Sequence, residues 1–208
     1  MFKESLSYDD VLLEPQYSDI RSRSQIDIST VLGGKFPEIS IEMPIFSSPM
    51  DTITEDSMAI VMAGEGGAGI IHRYNTIEEQ IQLIKNCNPS EALVGAAVGI
   101  TGDYVERACG AVVAGASFIC LDVAHGHHIL MKEALTVLRE YIPTTHIMAG
   151  NVATLKGIND LADWGANSVR CNIGGGSFCF TRIQTGHGMP GFQTILKCTK
   201  TERDVGII

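Results

Sequence analysis

Phe118-Ile119-Cys120-Leu121-Asp122, followed by Val123-Ala124-His125-Gly126-His127, carries the pattern that decides the fold: a short, unbroken apolar run that ends in a carboxylate. A strand that is apolar at every position is buried on both faces, as in a parallel sheet covered by helices. Similar runs occur at Gly69-Ile70-Ile71, Leu93-Val94-Gly95-Ala96-Ala97-Val98, His146-Ile147-Met148-Ala149 and Ser168-Val169-Arg170-Cys171. They recur about every 25 residues, a period that predicts a repeated supersecondary unit. Upstream, Pro44 to Asp51 reads as a further short buried strand closed by a proline, with Ser47, Ser48 and Met50 at its C-terminal end.

Amphipathic segments separate the runs. Thr54 to Ala63 predicts a helix stopped by Gly64, Gly66 and Gly67. Thr76 to Cys87 predicts another, opened by a Thr76/Glu79 capping box and carrying Ile77, Ile81 and Ile84 on one face. Further helices are expected over Asp103 to Ala114, Ile129 to Tyr141 and Leu155 to Trp164. Gly115 and Gly165 stand where a helix C-cap favours glycine. The stretch from Ser5 to Pro15 has no clean period and predicts irregular structure.

Strand and helix therefore alternate, and each strand ends in a polar or reactive group: Ser48, His72, Asp122 with His125, Asn151, and a Gly-Ser-Cys loop after the last. Functional groups spread over that many strand ends match a barrel, whereas a doubly wound sheet collects ligands at one switch point. Six strand–helix units are legible, and Asp204 to Ile208 reads as the opening of a seventh strand. A complete barrel takes about 250 residues and eight strands. The expected fold is α/β, an incomplete (β/α)8 TIM barrel in a single domain over residues 1–208.

The net charge of −9 and the lack of a Lys/Arg run argue against nucleic-acid binding. The six cysteines, Cys87, Cys109, Cys120, Cys171, Cys179 and Cys198, show no CxxC pair and read as reduced thiols of a cytoplasmic protein. Met1 to Ser5 is too polar for a signal peptide, and the longest apolar run, Ala92 to Ile100, is too short to cross a bilayer. Small-molecule chemistry is the expected class.

The last strand runs into Gly174-Gly175-Gly176-Ser177-Phe178-Cys179-Phe180-Thr181-Arg182. Glycines allow a loop to wrap an anion through its backbone N–H groups, with a serine hydroxyl as a further donor. If extended, the segment would point Ser177, Cys179 and Thr181 to one side. A thiol there becomes a nucleophile when its pKa falls, for which Arg170 and Arg182 are candidate helpers. A surface loop with a bystander cysteine is the plainer reading of these residues alone.

Several blocks in order give the chain a family likeness. Ser7-Tyr8-Asp9-Asp10-Val11-Leu12-Leu13, Ser47-Ser48-Pro49-Met50-Asp51-Thr52, Gly69-Ile70-Ile71-His72, Val94 to Gly99, Asp122 to His127, Ala149-Gly150-Asn151-Val152-Ala153-Thr154 and the Gly174 to Arg182 loop resemble the IMP dehydrogenase / GMP reductase family over nearly the whole length. The resemblance implies that Cys179 attacks C2 of a purine nucleotide, IMP or GMP, while hydride passes to or from NAD or NADPH. It implies Thr181 beside the reacting base, Ser177 on the 5′-phosphate, and Ser48 and Met50 in the nucleotide pocket. Asp122, Asn151 and Arg170 would serve the cofactor, Asp122 by accepting from its ribose hydroxyls. In the dehydrogenase branch a potassium ion is held by backbone carbonyls, here those of Gly174, Gly176 and Cys179. Plainer roles stay open: Asp122 as a helix cap, Met50 as core, Asn151 in a turn, His125 and His127 in solvent, Cys109 and Cys120 as packing.

By the same resemblance, the Ser47 to Asp51, Ala124 to His127 and Ala149 to Thr154 blocks look like the dehydrogenase, the first choice. Pro15-Gln16-Tyr17-Ser18, Ser22-Arg23-Ser24 and Thr181 to Gly188 look like GMP reductase. Cys87-Asn88-Pro89-Ser90 joins helix to strand directly, without the CBS insert of most dehydrogenases. Phe178 and Phe180 replace smaller residues, and their rings are expected to narrow the site. The later phosphate loops, the flap and the group that activates water or ammonia fall beyond the sixth strand in this family. The expectation is hence a truncated product or one half of a split enzyme, acting with a complementing C-terminal chain or as a homo-oligomer; family members resemble one another in being tetramers. A non-catalytic nucleotide-binding or interaction remnant is the alternative.

Overall fold

A computed structural model describes residues 4–33 and 37–208. Met1, Phe2 and Lys3, part of the segment read as too polar for a signal peptide, lie outside the described residues. Two short strands, β1 (Thr30–Leu32) and β2 (Ile39–Ile41), pair antiparallel. Seven more form one parallel sheet in chain order: β3 (Phe46–Ser47), β4 (Ala68–Ile71), β5 (Val94–Val98), β6 (Phe118–Asp122), β7 (His146–Val152), β8 (Ser168–Cys171) and β9 (Gly206–Ile207). The sheet curls as an incomplete TIM barrel with helices outside, and β9 is the seventh strand expected from Asp204 to Ile208.

Side-chain alternation along the strands sorts residues into two cores. Ile71, Ala96, Val98, Ile119, Leu121, Ile147, Ala149 and Val169 point outward under the helices. Ile70, Ala97, Phe118, Cys120 and Met148 point into the barrel. Both sets are buried, which is why the runs read as continuously apolar. Gly95 lies opposite Phe118 in the β5–β6 register, and a Cβ there would stand 2.2 Å from the ring. The missing side chain makes room for the aromatic ring.

The outer layer is α1 (Asp56–Gly64), α2 (Ile77–Cys87), α3 (Tyr104–Ala114), α4 (Ile129–Tyr141) and α5 (Leu155–Asp163), close to the expected bounds. The Thr76/Glu79 capping box forms at the start of α2, and Gly115 ends α3 in the left-handed conformation. Two further helices follow β8: α6 (Thr181–Thr185) and α7 (Gly191–Cys198). The segment expected as one strand from Pro44 to Asp51 is strand only at β3. Pro44 and Pro49 offer no N–H to a ladder, and the chain turns back as Met50 N–H donates to Ser48 O at 2.8 Å.

The β1–β2 hairpin was not anticipated. Its Leu32, Ile39 and Ile41 pack into the barrel interior with Phe118 and Met148, closing the end from which the strands start. His146, the first residue of β7, ties this floor to the sheet through Pro37 O at 3.0 Å and Ser168 Oγ at 2.8 Å. The opposite end, where the strands finish, stays open. No helix among the described residues is long and apolar enough to cross a membrane.

Candidate functional site

The strands stop at the open end, and residues at the ends of most of them line a cavity of about 540 Å³. Its wall includes Ser47, Ser48 and Met50 after β3, Asp122 at the end of β6, Asn151 in β7, Arg170 in β8, and Asn172, Gly174, Gly176 and Cys179 beyond β8. Seven of the residues singled out in the sequence therefore meet in one place, along with the Gly174 and Gly176 carbonyl positions.

Asp122 organises one side. Its Oδ1 accepts from Arg170 Nη1 at 2.6 Å and from Asn151 Nδ2 at 3.1 Å. Both partners are held rigidly by strands, so the carboxylate is fixed, and its plainer role as a helix cap is not what the geometry shows. Arg170, read as a candidate helper of Cys179, is committed to this ion pair instead. Two buried polar atoms of the cavity-lining residues, Ser47 Oγ and Asn172 Oδ1, have no hydrogen-bond partner among the described residues. Leaving such groups unpaired is costly, so their place in a cavity wall suits a hydrogen-bonding ligand. Sequence reading placed Ser47 at a strand end without a role and passed over Asn172; its position between the strand and the glycines was the available signal.

The glycine loop is a turn rather than an extended segment. Cys179 N–H donates to Gly176 O at 3.1 Å, and the chain enters α6 at Thr181. Ser177, Cys179 and Thr181 consequently face three ways. Cys179 faces the cavity. Ser177 borders a second cavity of about 630 Å³ with Tyr8, Asp9, Arg182 and His187. Thr181 borders a small apolar one with Ala124 and His125. Phe178 and Phe180 are 96% and 69% exposed and line none of these three, so the expected narrowing does not occur. The loop glycines permit the turn while Phe side chains are simply left in water.

Thr181 still touches the chemistry. Its hydroxyl, then its N–H, with the Gly174 N–H and the charge of Arg182, hold the Cys179 thiol below its ordinary range against a small effect of burial. Of the other thiols only Cys198 is also lowered, by its hydrogen bond with Cys171, and it is fully buried. Burial pushes Cys87 and Cys120 up to about 11 each. Cys171 is pushed up by its hydrogen bond with Cys198 and by burial. None of the six forms a disulfide. A half-exposed thiol of lowered pKa in a cavity wall is a competent nucleophile.

A family model described as IMP dehydrogenase / GMP reductase domain matches residues 5–208. The chain belongs to the IMP dehydrogenase / GMP reductase family. It is 28% identical to an inosine-5'-monophosphate dehydrogenase of Nitrosopumilus maritimus, over 99% of this chain and 69% of that protein. It is 32% identical to a GMP reductase of Albidiferax ferrireducens (91% and 57% covered), and 31% identical to an inosine-5'-monophosphate dehydrogenase of Cryptosporidium parvum (98% and 60%). The chain thus spans between about half and two thirds of the length of these relatives, which carry both reaction names.

Within this IMP dehydrogenase / GMP reductase chain, two of the three carbonyls expected to hold potassium, those of Gly174 and Gly176, are already engaged. Arg182 Nη1 donates to Gly174 O at 2.6 Å and to Gly176 O at 3.2 Å. Gly176 O also takes the Cys179 N–H, which fills both of its lone pairs. These carbonyls do not fit a metal ion while the guanidinium is on them. Among the described residues there is also no cluster of three His, Cys, Asp or Glu that could hold one. His127 is not merely solvated: its Nε2 lies 2.7 Å from Asp160 Oδ2, beneath α5 and away from the cavity wall.

Proposed function

We propose that the cavity seats a purine 5′-mononucleotide and that the Cys179 thiolate adds to C2 of its base, in an oxidoreductase of the dehydrogenase type that converts IMP to XMP. One observation carries the reading: a cysteine of lowered pKa shares a cavity wall with two unpaired hydrogen-bonding groups, Ser47 Oγ and Asn172 Oδ1. An electrophilic heteroaromatic ring lined with acceptors and donors fits both demands. Met50, half-exposed at the rim, offers a flat apolar contact to such a ring.

Asp122 has one oxygen tied to Arg170 and Asn151, and its Oδ2 has no hydrogen bond among the described residues. A fixed carboxylate with a free oxygen suits a ribose diol, and the residues present fit a nicotinamide cofactor in that respect. The cofactor, NAD in the dehydrogenase direction, would accept the C2 hydride, and water would then cleave the C2–S bond to release XMP and the free thiol. The chain's own residues orient the base, hold the thiolate through Thr181, and present Ser48 and the glycine-loop N–H groups to the sugar phosphate. Ser177, the expected phosphate donor, reaches that group only if its loop turns over.

Reduction of GMP to IMP with NADPH is the second reading, favoured by Arg182 standing on the carbonyls that hold potassium in the dehydrogenase branch. Turnover in either direction is proposed to need the rest of a barrel, from a complementing segment or partner copy, because β3 and β9 each have only one neighbour among the described residues.

The test is covalent labelling with 6-chloropurine ribotide followed by peptide mapping. Label confined to Cys179, slowed by IMP or GMP and lost in Cys179→Ala, is the expected result. Label spread over several cysteines, or unaffected by either nucleotide, would sink the reading and leave an interaction remnant.

A further inference from the structure

The glycine loop contains a cation of its own. We propose that Arg182 is a positioning residue whose guanidinium takes the structural place of a monovalent metal ion, so that the loop presenting Cys179 keeps its shape without potassium.

Three observations support this. First, the guanidinium bridges two carbonyls from opposite sides of the turn, Gly174 O at 2.6 Å and Gly176 O at 3.2 Å, as a bound cation would. Second, the stem is built in: a Cβ on Gly174 or Gly188 would come within 3.0 or 3.3 Å of Arg182 Cβ, so two glycines make the channel through which the side chain passes. Gly174 also holds a φ of +73°, which aims its carbonyl inward at little cost. Third, Arg182 has no carboxylate within ion-pair distance among the described residues. Its hydrogen bonds go to carbonyl oxygens, as a metal's bonds would, and its charge also favours the Cys179 thiolate.

The chemistry is consistent. Guanidinium carries the same single charge as potassium, stays protonated at any physiological pH, and is weakly hydrated for a cation. Being tethered, it need not be recruited from solution. Potassium could enter only by displacing it from both oxygens and leaving the charge without a partner.

The inference rests on Cys179 being the half-exposed reactive thiol of the cavity wall, but its test requires neither nucleotide nor turnover. Alkylation of Cys179 by iodoacetamide is followed by peptide mapping in KCl and in choline chloride of equal concentration. The wild-type rate should agree between the two salts within about twofold, as for a ligand that does not bind. Arg182→Lys should behave likewise, since it keeps a tethered charge. Arg182→Ala should alter the rate several-fold in choline chloride and recover toward the wild-type rate in KCl, saturably. A saturable potassium effect above about twofold on the wild-type rate or melting temperature would overturn the proposal. So would an Arg182→Ala protein that is folded and matches the wild type in both salts. If that variant fails to fold, the wild-type and Arg182→Lys salt comparisons still decide. A chain that resists 6-chloropurine ribotide yet shows this pattern would refute the nucleotide reading alone.

Discussion

Asp122 and Arg170 show how one residue pair serves both fold and site. Their side chains are about one-fifth exposed, so water screens the pair only in part. Asp122→Ala leaves the guanidinium without its carboxylate, and the expected loss is about 2 kcal/mol in urea unfolding, below the 3–5 typical of a fully buried pair. Combining it with Arg170→Met should cost less than the sum of the single changes, because the orphaned charge is removed. Thr181 acts on a different quantity. Its hydroxyl is the largest influence holding the Cys179 thiol down. Thr181→Val should therefore move the midpoint of the alkylation rate against pH upward, toward the ordinary thiol value of 9.0. A midpoint unchanged or lower would remove Thr181 from that role. Cys179 was legible in the sequence because glycines and hydroxyl residues surround it. Ser47 and Asn172 were not, since being unpaired is a property of the folded surroundings.

At the scale of elements, the helices were the readable part. Local signals such as the Thr76/Glu79 box and Gly115 settle helix ends without help from the rest of the chain. Strands were found by apolar runs, β4 to β8 where both faces are largely buried, and β3 and β9, which are half-buried, as parts of longer segments. The hairpin escaped because β1 and β2 are three residues each, partly exposed, and held by the floor of the barrel rather than by their own periodicity. The shape of the glycine loop was open in the sequence, because its turn depends on the Gly176 carbonyl and on Arg182. Sheet packing provides a sharp test. Gly95→Ala drives a methyl into the Phe118 ring and should destabilise by about 1–3 kcal/mol. Adding Phe118→Leu should return part of that loss. If Gly95→Ala alone proves neutral, the cross-strand packing described for β5 and β6 is wrong.

Over the whole molecule, the floor and the sheet are joined at His146, which is 1% exposed. Burial pushes its pKa below the ordinary 6.5, the Pro37 carbonyl pulls it back in part, and the charge of Arg139 adds a smaller downward push. With Nδ1–H donating to Pro37 O, Nε2 accepts from the Ser168 hydroxyl, an arrangement only the neutral ring can make. The unfolded chain protonates this histidine near 6.5 while the folded protein resists. The unfolded state then binds more protons, and stability falls as pH drops below 6.5 toward the folded pKa. Above 6.5 the histidine contributes no pH dependence. Melting temperatures from pH 8 down to pH 5 should thus decline more steeply for the wild type than for His146→Gln, which keeps polar contacts but cannot titrate. The variant should be less stable at pH 8, where its fit to Pro37 and Ser168 is poorer, and the two curves should converge in acid. Parallel curves would mean that the hairpin is not held to β7 and β8 through a neutral imidazole, and that the floor of the barrel depends on the packing of Leu32, Ile39 and Ile41 alone.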